Sequence, residues 1–207
     1  LHDALPILIE SLTDLERARG IALGCVRCDL AQTRTQVVFG AGDRASGLML
    51  VGEGPGEDED LQGRPFVGRA GQVLDGALVE AGLPRDRVWV TNVVRCRPVK
   101  IEDGRYANRP PRVPEIRACR VWMETELRLV APRVVVCLGA VAAKALIDPK
   151  FRLTEERGRW FPGPAGTRAL ATLHPSYVLR QRDSEARRVA RGMLVEDLRA
   201  AIGALEE

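Results

Sequence analysis

Lysine is almost missing from this 207-residue chain. Only Lys100, Lys144 and Lys150 occur, so arginine supplies nearly all of the 31 positive charges. None of the three sits beside the motifs described below, which argues against chemistry through a lysine Schiff base. Histidine is rarer still, with His2 and His174 alone, so an imidazole acid or base has few places to sit. Aromatic residues make up 4% of the chain, and any one in a polar stretch stands out. No run approaches the ~20 apolar residues that cross a membrane, and no charged-then-apolar leader is visible. The five cysteines are too few, and of the wrong parity, for a disulfide scaffold of this length. A reducing cytoplasm with thiolate ligation is expected instead. A net charge of +3 demands no nucleic acid by itself, although arginine forks suit phosphates and base edges better than lysine does.

What is present is ordinary for one α/β domain: 45% apolar and 29% charged residues, enough for a full core. A single domain over residues 1–207 is expected, with residues 1–6 outside its ordered part and His2 carrying no weight. Apolar spacing predicts a helix over 7–19, strands over 36–39 and 48–51, and a helix from Gln72 that stops at Gly82-Leu83-Pro84. Further strands are expected at 88–94, 134–138 and 169–173, with helices from Pro114, over 140–147 and from Ser184. Residues 99–113 and 150–168 read as irregular surface. Strands alternating with helices predict a three-layer αβα sandwich around a central, mostly parallel, four-stranded sheet. Ligands of such sheets bind beyond the carboxyl ends of the strands.

Residues 52–71, GEGPGEDEDLQGRPFVGRAG, join a buried strand to a helix. A loop this long inside a compact domain is usually functional. Its glycines allow the backbone to approach a ligand closely. The run Glu57-Asp58-Glu59-Asp60 repels an anion, so a phosphate cradle fits poorly. A neutral base, or a sugar turning cationic, fits better. Asn92 and His174 follow other predicted strands and converge on the same sheet edge.

Cys25 and Cys28 form a C-x2-C pair on a turn, and Cys96 and Cys119 stand at element ends. Four thiolates suit either tetrahedral zinc or an iron–sulfur cluster. Cys137 lies mid-strand and reads as core.

Taken in order, these motifs resemble the family 4 uracil-DNA glycosylases, the iron–sulfur branch of the uracil-DNA glycosylase superfamily. The residues that carry the resemblance are Gly52 to Asp60, Gly63-Arg64-Pro65-Phe66-Val67-Gly68, Thr91-Asn92, the four cysteines and His174-Pro175-Ser176-Tyr177-Val178-Leu179-Arg180. The resemblance implies a [4Fe–4S] cluster on Cys25, Cys28, Cys96 and Cys119. It also implies flipping of uracil from DNA and hydrolysis of its N-glycosidic bond, leaving an apyrimidinic site for base-excision repair.

The chemistry of the residues agrees with that. Phe66 offers a stacking face, Asn92 a donor and acceptor for the uracil edge, and His174 a donor to uracil O2 as charge grows there. Glu53 and Glu59 are the candidates to orient water and stabilise the sugar cation. Gly54, Ser176 and Arg180 complete the expected substrate site. Tyr177, Val178 and Leu179 are expected to wedge the duplex, and Arg95, Arg97, Arg105, Arg109 and Arg112 to meet phosphates. Gly54 stands where another branch places a catalytic Asp. Asn108 stands where a covalently trapped branch places a His, which favours turnover. A monomer acting on uracil-containing DNA, away from membranes, is expected. A covalent or non-catalytic uracil-DNA binder of the same fold, or a redox protein using the cluster for electron transfer, are the rival readings.

Overall fold

The computed structural model describes residues 9–206. Residues 1–6, His2, and the Ile7 and Leu8 assigned to the first helix lie outside these described residues. The expected first helix is interrupted: the principal helix, α1, spans Leu15–Leu23, and Asp14 caps it by accepting from the amide of Arg17.

Five-residue runs of apolar residues form the centre. Strands β2 (Leu48–Gly52) and β6 (Val134–Leu138) are buried at every position. β3 (Trp89–Asn92) and β8 (Arg168–Thr172) flank them. All adjacent pairs among these four are parallel, in the order β3-β2-β6-β8. Burial on both faces is why these strands lack alternation. Their neighbours still alternate between faces. Leu48, Leu50, Val134 and Val136 pack on one side with Leu74, Leu78, Leu194 and Leu198. Met49, Val51, Val135 and Cys137 pack on the other with Ala18, Trp122, Met123 and Leu127. Helices α3 (Arg69–Ala81) and α8 (Ser184–Gly203) therefore cover one face, and α1 with α4 (Val113–Val130) the other. The expected three-layer sandwich and its parallel four-strand centre are both present.

Two short antiparallel strands extend the sheet to six: β1 (Ala41–Gly42) beside β3 and β7 (Trp160–Pro162) beside β8. The expected strand at 36–39 is corrected. Val37, Val38 and Phe39 are buried but unpaired as a strand, and the Val38 amide donates to the carbonyl of Arg95 at 2.8 Å. The irregular reading of 99–113 is also corrected: β4 (Val99–Glu102) and β5 (Arg105–Asn108) form a separate hairpin. Asp103 and Gly104 turn it with positive φ of 50° and 74°, the conformation that a two-residue hairpin turn requires.

The parallel registers bring four chain segments to one edge. Gly52 pairs with Asn92, Val51 with Cys137, and Leu138 with Thr172, two residues before His174.

Candidate active site

The loop after β2 runs straight into helix α2 (Glu57–Gln62). Its acidic run is the first turn of that helix, where carboxylates meet the positive end of the backbone dipoles. Most of these carboxylates are engaged in holding the loop. Asp60 is buried and accepts from the amides of Thr35, at 2.9 and 3.0 Å, and Gln36. Glu57 pairs with Arg97 at 3.5 Å. Glu59 Oε2 accepts from the Gly56 amide at 3.0 Å, and its Oε1 from the amides of Val67 and Gly68, both at 2.8 Å. The picture of an acidic run facing a sugar is thus corrected: of the four, Glu59 alone lines the cleft, and both its oxygens are occupied.

Glu59's grip fixes the backbone on which Phe66 stands. Phe66 is buried with φ of +55°, a costly conformation for a bulky residue that persists where surroundings enforce it. Gly71, at the start of α3, gives it space, since a Cβ there would lie 1.8 Å from the Phe66 carbonyl oxygen. The Phe66 ring sits 5.9 Å from the His174 ring at 33°. Gly52 allows both Phe66 and Asn92 to close in, because a Cβ at that position would meet Asn92 Oδ1 and the Phe66 ring at 2.5 Å.

Asn92 is 2% exposed, and its Oδ1 is buried with no hydrogen-bond partner. Its backbone is held firmly, with its carbonyl accepting from Arg95 Nη1. A buried, unpaired acceptor is uncommon and calls for an explanation such as a ligand.

His174 caps the short helix α7 (Pro175–Leu179): its Nδ1 accepts from the Ser176 amide at 3.1 Å. Ser176 Oγ lies 2.7 Å from the same nitrogen and accepts from Arg180 Nη1 at 2.8 Å. With Nδ1 an acceptor, the proton of the neutral ring sits on Nε2. Burial, helped by the nearby Arg180 charge, lowers His174 to about 4. Burial raises the Glu53 carboxyl above its ordinary value, and the Arg180 charge opposes that rise.

The eight residues expected at the site (Glu53, Gly54, Glu59, Phe66, Asn92, His174, Ser176 and Arg180) all line one cleft of about 640 Å³, the size of a small-molecule pocket. Gly54 packs tightly, and a Cβ there would lie 2.8 Å from Val94 Cγ2. Asn108 also lines the cleft, its Oδ1 accepting from Arg97 Nε at 2.7 Å. In the sequence Asn108 marks only a position that lacks a His. Its location at the end of β5, beside the loop, became evident through the hairpin. Other expectations fail. Val178 is buried in the core and is no wedge, whereas Tyr177 is exposed. Arg95 is buried against Glu126 and Arg109 pairs with Glu115, leaving Arg105 and Arg112 as the exposed members of that set.

On the side of the sheet covered by α1 and α4, Cys25, Cys28, Cys96 and Cys119 line one small cavity with Arg34, Arg95 and Trp122. None forms a disulfide. Three sulfurs already accept from nitrogen: Cys25 from Trp122 Nε1 at 3.2 Å, Cys119 from the Arg95 amide at 3.3 Å, and Cys96 from Arg34 Nη1 at 3.5 Å. Burial is the chief cause that pushes Cys96 up to about 12 and Cys119 to about 11. Among the described residues no group of three or more His, Cys, Asp or Glu is arranged to hold a metal ion.

A layered α/β domain with a cleft at the strand ends, walled by an amide, a neutral imidazole and a half-buried carboxylate, is the frame of a nucleobase-handling protein. A family model described as the Uracil DNA glycosylase superfamily matches residues 39–199. A type-4 uracil-DNA glycosylase of Thermotoga maritima is 40% identical over 178 residues, covering 86% of this chain and 87% of the relative. One from Pyrobaculum aerophilum is 38% identical, covering 81% and 86%. A type-5 uracil-DNA glycosylase of Thermus thermophilus is 35% identical, covering 79% and 78%. The chain belongs to the uracil DNA glycosylase superfamily and, within it, groups with the type-4 uracil-DNA glycosylases.

Proposed function

We propose that this protein excises uracil from DNA by hydrolysing the N-glycosidic bond, leaving an apyrimidinic site for repair. The observation that carries this reading is the unpaired Oδ1 of Asn92, held beside the rings of Phe66 and His174. Uracil presents N3–H as a donor next to O4 as an acceptor, and the two ends of an amide match that pair. Cytosine presents the reverse, which would leave buried groups unpaired. A base has to leave the stack to reach so enclosed a site. Phe66 then covers its face.

As the bond breaks, negative charge grows on the uracil ring. His174 donates through Nε2–H, and being neutral it needs no proton from solvent. Glu53, half-buried in the cleft wall, faces the sugar and orients the water. Glu59 acts as a positioning residue, because three amides already occupy its carboxylate. Asn108 supplies a further polar group to the cleft wall. Ser176 and Arg180 set the His174 tautomer.

The four cysteines fit a [4Fe–4S] cluster. Such a cluster takes one thiolate per iron, and the four cysteines that line one cavity supply that number. Its contribution when bound is to tie the N-terminal turn to β3 and α4, and three N–H donors to sulfur are of the kind that tune such centres. The purified protein is expected to be brown, and Cys96→Ser to lose that colour and melt lower. A colourless wild type with bound zinc would remove the cluster.

The whole chain acts as one domain, as a monomer in a reducing compartment such as the cytoplasm. No described helix is long and apolar enough to cross a membrane. An oligonucleotide carrying one uracil, treated with enzyme and then alkali, tests the activity: cleavage with free uracil supports it, whereas a denaturation-resistant complex would mean covalent capture.

The pH profile has a definite sign. Glu53 has to be ionised, so kcat/KM falls as pH drops through its raised pKa, while His174 at about 4 stays neutral over that range. The Arg180 charge favours the carboxylate. Arg180→Ala therefore moves the acid limb to higher pH, and Glu53→Gln costs about 10²–10⁴ in rate. An acid limb that stays in place in Arg180→Ala would separate Glu53 from it.

A further inference from the structure

Apart from Asn108 at its end, the β4–β5 hairpin plays no part in the reaction as described, yet it carries two exposed large apolar side chains. Ile101 is 72% exposed and Tyr106 55%. They are direct cross-strand partners, and Val99 pairs with Asn108 two residues along. Opposite residues in an antiparallel pair share a face, as do residues two apart in one strand. Val99, Ile101, Tyr106 and Asn108 therefore lie on one face, and Lys100, Glu102, Arg105 and Ala107 on the other.

Asn108 lines the cleft, so the Ile101–Tyr106 face is the outward continuation of the cleft wall. Pro98, Arg109 and Pro110 at the hairpin base line the same cleft. That base is clamped. The Arg109 amide donates to the Pro98 carbonyl at 3.1 Å, and its Nε to the Val99 carbonyl at 2.9 Å, while its guanidinium is held by Glu115. From Asn108 to Tyr106 the strand advances by roughly 7 Å, about the rise of two stacked nucleotides.

We infer that the hairpin is a second nucleic-acid contact, in which Tyr106, backed by Ile101, stacks on an unpaired base about two nucleotides from the flipped uracil on the same strand. The inference rests on the excision reading, since the cleft fixes where the strand passes. Aromatic stacking of this kind tolerates any base and suits single strands. Exposed Arg105 lies beside Tyr106 on the opposite face, within reach of the adjoining phosphates, although Glu102 and Asp103 keep the tip from being a basic patch. Stacking is therefore the main contribution, and the salt dependence of binding changes little when Tyr106 is replaced.

The test compares wild type with Tyr106→Ala, Tyr106→Trp and Ile101→Ala on a single-stranded 15-mer bearing one central uracil. Tyr106→Ala is expected to raise KM about 5- to 100-fold with kcat near wild type, Tyr106→Trp to retain wild-type KM, and Ile101→Ala to fall between. On a trimer with uracil at its centre, too short to reach the hairpin, wild type and Tyr106→Ala converge. Equal KM values on the 15-mer, with melting temperatures unchanged, would overturn the inference while leaving excision intact. Absence of excision by the wild type would instead overturn the reading on which it rests.

Discussion

Asn92→Leu is expected to make the protein more stable and nearly inactive. Leucine approximates the shape of asparagine and removes an Oδ1 that is buried without a partner in the free protein. An orphaned buried acceptor costs about 1–3 kcal/mol, so relieving it adds stability of that order. For a domain of this size the melting temperature rises by about 2–4 °C per kcal/mol. The same change removes both groups that the proposed function assigns to the uracil edge. Sites built to hydrogen-bond a substrate lose about 10⁴ in kcat/KM when the pairing is lost, and single-turnover excision measures it. The two effects belong together, since a site pre-formed for a substrate is one in which the free protein tolerates an unsatisfied group. A lower melting temperature with activity within tenfold of wild type would show that Asn92 is a structural cap rather than the base reader.

The pattern of what could be foreseen follows from which residues report their surroundings. Strands buried on both faces leave uninterrupted apolar runs, so Leu48–Val51 and Val134–Leu138 were plain. Their parallel arrangement then set Asn92 and His174 beside the glycine loop. The hairpin carried its own signal, Val-Lys-Ile-Glu-Asp-Gly-Arg-Tyr, an alternating run broken by Asp-Gly. Surrounding prolines and arginines masked it, and because its side chains point to solvent no core demanded it. β7 was hidden for another reason. Three residues ending in Pro162 have no period to read, and they pair because β8 offers an open edge.

Charge was the poorest guide. In the run Glu57 to Asp60 four similar residues sit at successive helical positions about 100° apart, and so meet four different surroundings. Composition cannot separate Glu59, which clamps Val67 and Gly68, from Asp60, which holds Thr35. The arginines show the same limit. Arg95 and Arg105 are alike in sequence, yet one is 1% exposed and the other lies open on the hairpin.

Glu126→Ala is expected to be the most destabilising single change outside the apolar core. Glu126 is fully buried and accepts from Arg95 Nε at 3.0 Å and Nη2 at 2.8 Å, from Trp89 Nε1 at 2.9 Å and from the Gly40 amide at 3.3 Å. Removing the carboxylate strands the Arg95 guanidinium in the core. Breaking one side of a buried pair costs about 3–5 kcal/mol, which should appear as a large fall in the urea midpoint at unchanged slope. Paired replacement, Arg95→Met with Glu126→Leu, leaves no stranded charge and is expected to recover most of that loss, since apolar substitutes for buried pairs are often neutral or better.

Function separates the two variants from simple instability. Arg95 donates to the carbonyls of Asn92 and Val93, and its amide donates to Cys119 Sγ. The arginine thus links the strand that carries Asn92 to the cysteine cavity. The double variant is expected to stay folded but excise uracil more slowly, because the backbone under Asn92 has lost its clamp. Wild-type kcat in the stable double variant would show the Arg95–Glu126 pair to be a folding element alone. A rate that falls while stability recovers would assign to it the positioning of Asn92.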